Sequence, residues 1–416
     1  MQGKSRRLAW TSAVIHGLVH ASVLLLPPLL GDLQRAFQVS LLQLLAVANA
    51  MYLVYGLSAI PAGFLADRYG SRRMLIVAAA GCGLSLVLIA AAPSFLLLSV
   101  GLVALGVSAG VYHPSGLSLL SRGVASGERG RAIGIHGAGG NLGEAIAPAW
   151  AASFATAIDW RAGFAVGAVL SFACAILATT LPAGQTEPED HHHLLHPHPH
   201  SHPHPHPHPA SLRATLAALC ETLVGFARNR PLRWLLLSLV AAGFTYRGFL
   251  TFLPLHLSQD AGGGAGSSYV MSAVLLAGMI AQRYGGELAD RRARERLYLL
   301  LSLVGLPFLL ALAVSSGPIA IAAALGFGFT WALAQPVANA LTATYARATD
   351  HGLLYGIQFA ATFGVGSFAT TVGGFLLTEG GTRLAFLGLG VATILAIAAV
   401  VVLLRTVSRP ESRGQS

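Results

Sequence analysis

Ionisable side chains set inside long apolar runs are where this chain could do chemistry, because charge at membrane depth is costly and is kept where something uses or pairs it. Glu144 follows Gly139-Gly140-Asn141-Leu142-Gly143 in one such run, and a carboxylate there can take and release a proton. Arg247 lies at comparable depth in Phe244-Thr245-Tyr246-Arg247-Gly248 and could bind an anionic substrate or modulate Glu144. A static buried ion pair, or an arginine whose head snorkels outward, is the other reading of the two. His16 and His20 stand four apart on one helical face, a spacing that can relay protons or share a metal. Hydrogen-bonded cavity histidines are the plainer alternative, since His113 and His136 lie on other runs. Asn141, Gln335, Asn339 and Gln358 are uncharged candidates for the same cavity, or glue between helices.

A second concentration of imidazoles lies outside the apolar runs. His191, His192, His193, His196, His198 and His200 open a tract in which His alternates with Pro as far as His208. That alternation favours an extended chain and builds no core. Such a tract can chelate nickel, zinc or copper, or serve as a low-complexity linker with no metal role. The glycine patches at 137–140 and 262–266 lack the Lys-Ser/Thr ending of a phosphate loop; the first reads as close helix packing, the second as an outer loop. Three cysteines, Cys82, Cys174 and Cys220, are too few and scattered for a disulfide framework or a zinc site. No nucleophile–base set or metal-hydrolase motif is present, so neither an enzyme nor a cofactor is expected.

The elements that must position these residues follow from composition. Of 416 residues, 54% are hydrophobic and 10% charged, against roughly a quarter charged in a soluble domain. That excludes a soluble globule, a disordered chain and a disulfide scaffold, and leaves a polytopic membrane protein. Apolar runs place twelve spans near 9–30, 41–62, 75–92, 95–118, 132–154, 162–181, 233–257, 269–286, 297–314, 318–341, 352–377 and 384–404. The first run lacks a small-residue cleavage site and reads as a retained span. The net charge of +10 is topological, because its basic residues sit between apolar runs and form no stripe for nucleic acid. Of the 26 lysines and arginines, only Arg35, Arg161 and Arg383 fall on the face opposite the N-terminus, with Arg247 inside a span. The positive-inside rule then places both termini in the cytoplasm.

The chain also repeats itself. Gly63-Phe-Leu-Ala-Asp67-Arg68-Tyr-Gly70-Ser-Arg72-Arg73 returns 223 residues later as Gly286-Glu-Leu-Ala-Asp290-Arg291-Arg-Ala-Arg-Glu-Arg296, with six of eleven positions identical. Both copies follow the second span of a six-span half on the same side, so the halves run parallel about an axis along the membrane normal. In these segments, and in Asp159-Trp160-Arg161-Ala-Gly-Phe164 opening the sixth span, the sequence resembles the major facilitator superfamily over nearly its whole length. The resemblance implies an all-α polytopic fold of twelve helices in two six-helix halves. It also implies a conformational latch formed by Gly63, Asp67, Arg68, Gly70, Arg72, Arg73, Asp290 and Arg291. A carboxylate beside a helix terminus and arginine partners makes a polar clasp that can break.

Val111-Tyr112-His113-Pro114-Ser115, Gly139–Gly143 and His16 further resemble the branch of fosmidomycin-resistance exporters. Ser115 and His20 depart from it, standing where that branch often has acidic residues. The resulting expectation is a proton-coupled exporter of a small organic compound or drug in the bacterial inner membrane. A divalent-metal or metal-chelate exporter and a non-transporting membrane sensor are the alternatives. Residues 1–182 form the first half, 183–232 a cytoplasmic linker holding the His/Pro tract 191–208, 233–405 the second half and 406–416 a tail. Expected partners are a small-molecule substrate, protons and the lipid bilayer, without nucleic acid, and a monomer is expected to suffice.

Overall fold

Helix starts follow the capping residues. Ser40 opens α3 (Leu41–Tyr69): its hydroxyl accepts the Gln43 N–H while the Gln43 side chain accepts the Ser40 N–H, a reciprocal capping box. Ser94 accepts the Leu97 N–H at the start of α5 (Phe95–Gly123). Asp159 accepts the Arg161 N–H at the start of α7 (Trp160–Thr179), satisfying an otherwise orphaned donor. Arg161 then lies over the Trp160 ring at 4.2 Å and donates to the Ala92 carbonyl. The Asp159–Phe164 motif is therefore a capped and clamped helix start.

This computed structural model describes residues 1, 3–182, 224–225, 228–260, 265–291, 293–345 and 357–407, and among them every regular element is helical. The remaining helices are α1 (Gly3–Leu24), α2 (Leu30–Phe37), α4 (Ser71–Ala90), α6 (Arg129–Ala157), α8 (Arg230–Asp260), α9 (Ala265–Arg291), α10 (Arg294–Leu312), α11 (Gly317–Tyr345) and α12 (Phe368–Val407). Among the described residues, ten segments are long and apolar enough to cross a membrane. The longest, Ile357–Val407, bends at Gly380 and Gly381, where the backbone leaves helical geometry and Gly381 takes φ +65°, so it makes two crossings. Gly-rich α6 is of membrane length at 29 residues but is not among those ten. With it the described residues hold twelve helical segments of membrane length, consistent with the twelve expected spans.

Two spans extend well beyond their expected bounds. The first, expected at 9–30, runs from Gly3 to Phe37 as α1, a 3₁₀ turn at Pro27–Leu29 and α2. Proline at the start of a helical turn gives up an N–H that would be unsatisfied anyway, so Pro27 and Pro28 turn the chain without ending the span. The second, expected to end at 62, continues to Tyr69. Gly63–Tyr69 is thus helical, and only Gly70, at φ +88°, separates α3 from α4; glycine takes that conformation without steric cost.

The two halves repeat their packing. In the first, α1 packs on α6, α3 on α5, and α4 on both α5 and α7; in the second, α8 packs on the α12 segment, α9 on α11, and α10 on α11 and α12. Hydrogen bonds join the halves at Asn141–Gln282 (2.5 Å), Ala149 N–Ser272 (3.0 Å), Ser153–Tyr269 (3.0 Å) and Ser367–Asn49 (2.6 Å).

Candidate functional site

The site begins with glycines on the seam between α1 and α6. A Cβ on Gly139 would meet the Ala13 carbonyl, one on Gly143 the Gly17 carbonyl, and one on Gly140 the His16 ring. Only hydrogen at these positions lets the two backbones approach so closely, the device that small residues serve in membrane bundles. The expected close packing of 137–140 therefore holds at Gly139 and Gly140, whereas a Cβ on Gly137 meets nothing within 4 Å. Gly143→Ala should force α1 off α6 at a cost of about 1–3 kcal/mol, visible as a lower melting temperature in detergent. Gly137→Ala should melt as wild type does; equal melting of the two variants would refute this account of the seam.

This contact lines up the histidines. His20 Nδ1 is 2.7 Å from Glu144 Oε1, and both side chains are mostly buried. His16 Nδ1 is 2.9 Å from the His136 carbonyl oxygen, and the two rings stack at 4.0 Å. Ser12 Oγ lies 2.9 Å from His136 Nδ1, while the Tyr112 hydroxyl donates to the Ser12 carbonyl at 2.5 Å. From α5, His113 places its ring 5.1 Å from both His16 and His20, and its Nε2 lies 2.6 Å from the Tyr55 hydroxyl. Phe359, ahead of the π turn Ala360–Gly364, covers His113 at 4.4 Å from the second half. Four of the expected residues, His16, His20, His113 and Glu144, thus form one cluster.

Arg247 is not the ion-pair partner of Glu144, which pairs with His20. Its guanidinium lies 3.8 Å from the centroid of the Tyr52 ring, across the boundary between halves, and 5.6 Å from that of Phe363. The residue is 4% exposed and its Nε has no hydrogen-bond partner. Asn141 shares with Glu144 the wall of a cavity between the halves, which Tyr246, Phe249, Gln282 and Trp331 complete. Tyr246 and Trp331 stack there at 3.4 Å. Gln358 bonds Asn339 at 2.9 Å, the interhelical role, while Gln335 lines a separate cavity in the second half. Sequence reasoning passed over Tyr52, Tyr55, Tyr112 and Gln282. Of these, Tyr112 had a visible signal, standing beside His113 in a motif already singled out.

The described residues of the expected latch meet partners in the first half. Arg72 donates to the Thr179 carbonyl at 2.5 Å and Arg7 to that of Thr180 at 2.8 Å, so both serve the carbonyl end of α7 within one half. Arg68 lies over the neighbouring Tyr69 ring at 5.5 Å, Arg73 is exposed, and Gly63 sits 3.8 Å from Pro114 when given a Cβ. The side chains of Asp67, Asp290 and Arg291 lie outside the described residues, as do the tract 191–208 and residues 262–264.

Two six-helix halves that repeat their packing, with a cavity between them, match a known architecture. The family model described as Major Facilitator Superfamily matches residues 12–370. The chain belongs to the Major Facilitator Superfamily. This superfamily member is 27% identical over 251 residues to a protein of Cupriavidus necator described as "Probable sulfoacetate transporter"; the match covers 60% of this chain and 56% of that one. Its fold is shared with a bacterial homolog of the human lysosomal transporter Spinster. For the inward-facing and occupied form the TM-score is 0.77 at 13% identity, covering 98% of each chain. For the inward-facing and unoccupied form it is 0.71 at 16% identity, covering 97% of this chain and 96% of that one. The protein is a multi-pass membrane protein of this superfamily.

Proposed function

We propose that this superfamily member is a proton-coupled secondary transporter of a small organic anion, moving it by alternating access as the two halves rock. The observation that carries the reading is Arg247. A guanidinium at the centre of a membrane helix costs about 2.5–3.5 kcal/mol, and this one is stacked on Tyr52 at the boundary that alternating access opens, while Glu144, the described carboxylate nearby, forms its ion pair with His20. An anionic substrate would supply the missing charge, with the aromatic faces around it holding the apolar part. Sulfoacetate, named for the Cupriavidus relative, is an anion of this class. Glu144, bonded to His20 beside the cavity, is the exchangeable proton site, and the resemblance to fosmidomycin-resistance exporters supports export as the direction.

Purified protein in liposomes tests this directly. A pH gradient should drive flux of small sulfonates or carboxylates; flux confined to neutral or cationic solutes would defeat the anion reading, and no flux of any solute would favour a sensor. The arginine distribution further supports both termini being cytoplasmic in the inner membrane. A cysteine at Ser201 should then label only from the cytoplasmic side and one at Gly264 only from outside, whereas labelling of both from one face would overturn the topology.

A further inference from the structure

We propose that His16, His20 and His113 form a three-imidazole site for a borderline first-row transition-metal cation of the zinc, cobalt and nickel class. One ligand nitrogen from each residue lies within 4.8 Å of the other two. The three rings meet edge to face, with centroids 4.6, 5.1 and 5.1 Å apart.

The hydrogen bonds around the rings argue for more than three neighbouring histidines. Each ring spends one nitrogen on an anchor: His16 Nδ1 at the His136 carbonyl, His20 Nδ1 at the Glu144 carboxylate and His113 Nε2 at the Tyr55 hydroxyl. Metal-binding histidines are held in this way, one nitrogen tied to a carboxylate, carbonyl or hydroxyl so that the other is aimed and made more basic. The nitrogens left over are Nε2 of His16, Nε2 of His20 and Nδ1 of His113. His16 Nε2 is buried and has no hydrogen-bond partner, which leaves a lone pair or proton without a use unless a ligand takes it. Three nitrogen donors suit zinc, copper, nickel and cobalt, whereas magnesium and calcium call for oxygen. Closing to nitrogen–metal distances of about 2.1 Å asks for small ring movements from the spacing seen. A single negative charge, on Glu144, stands one bond away from a divalent cation. The three ligands are not residues of the tract 191–208, and the site does not depend on the substrate assigned above.

Cobalt titration of the purified full-length protein, followed by visible absorption, tests the site without any transport measurement. It is run on the full chain and on the chain lacking 191–208, because the tract chelates metal regardless. We expect one cobalt per chain to persist after the deletion, with the intense absorption of low-coordinate cobalt, and to be displaced by zinc. His16→Ala and His113→Ala should each abolish that band. Tyr55→Phe, which keeps all three ligands and removes one anchor, should weaken binding roughly 10–100-fold and so reads the site even if an alanine variant fails to fold. Disappearance of the band on deleting the tract, its survival in both folded alanine variants, or unchanged affinity in Tyr55→Phe would overturn the proposal.

Discussion

Glu144→Gln should abolish flux driven by a pH gradient while leaving substrate binding measurable. Glutamine keeps the size of the side chain and can still bond His20, so the 2.7 Å contact and the seam of α1 on α6 survive. What it loses is the ability to give up or accept a proton. The carboxylate sits in the cavity wall between the halves, where rocking changes which face it meets, and it is tied to an imidazole, the side chain best suited to pass protons near neutral pH. A coupled carrier has to hold a proton while facing one side and release it while facing the other. Substrate–substrate exchange, which needs no net proton movement, should continue in the variant. Near wild-type flux in response to a pH gradient would make Glu144 structural and move the coupling group to His16, His20 or His113.

The second large effect is expected at Arg247. Arg247→Met keeps an unbranched apolar stem beside the Tyr52 ring but removes the charge and the donors. Hydrogen bonds to charged groups contribute about 1.5–3 kcal/mol each, so binding of a small sulfonate or carboxylate should weaken roughly 10–100-fold. The folded protein should tolerate the change, since among the described residues Glu144 keeps its ion pair with His20 and no carboxylate is salt-bridged to the guanidinium. Binding assays in detergent, where no gradient is present, separate this loss from the coupling defect of Glu144→Gln. Unchanged anion affinity would make Arg247 a cation–π strut between the halves and would remove the main support for an anionic substrate.

Much of this protein was determined by residue type and order alone. Free-energy cost acts locally there: a charged side chain in an apolar run is conspicuous whatever it touches, so Glu144, Arg247, His16, His20 and His113 stood out at once. Hydropathy placed the spans for the same reason, and the return of Gly-x-Leu-Ala-Asp-Arg after 223 residues pointed to two parallel halves. Partnership, however, is a property of three dimensions. Glu144 and Arg247 looked like a pair by depth, but α1 lies against α6 so closely that His20 reaches the carboxylate first. His113 is distant in sequence from His16 and His20, and joins them because α5 carries it to the same point as α1. Spacing along a chain orders side chains within one helix, where the period is fixed at 3.6 residues. Which faces of different helices meet depends on backbone approach, here through Gly17, Gly139 and Gly143, and that the tertiary structure alone decided.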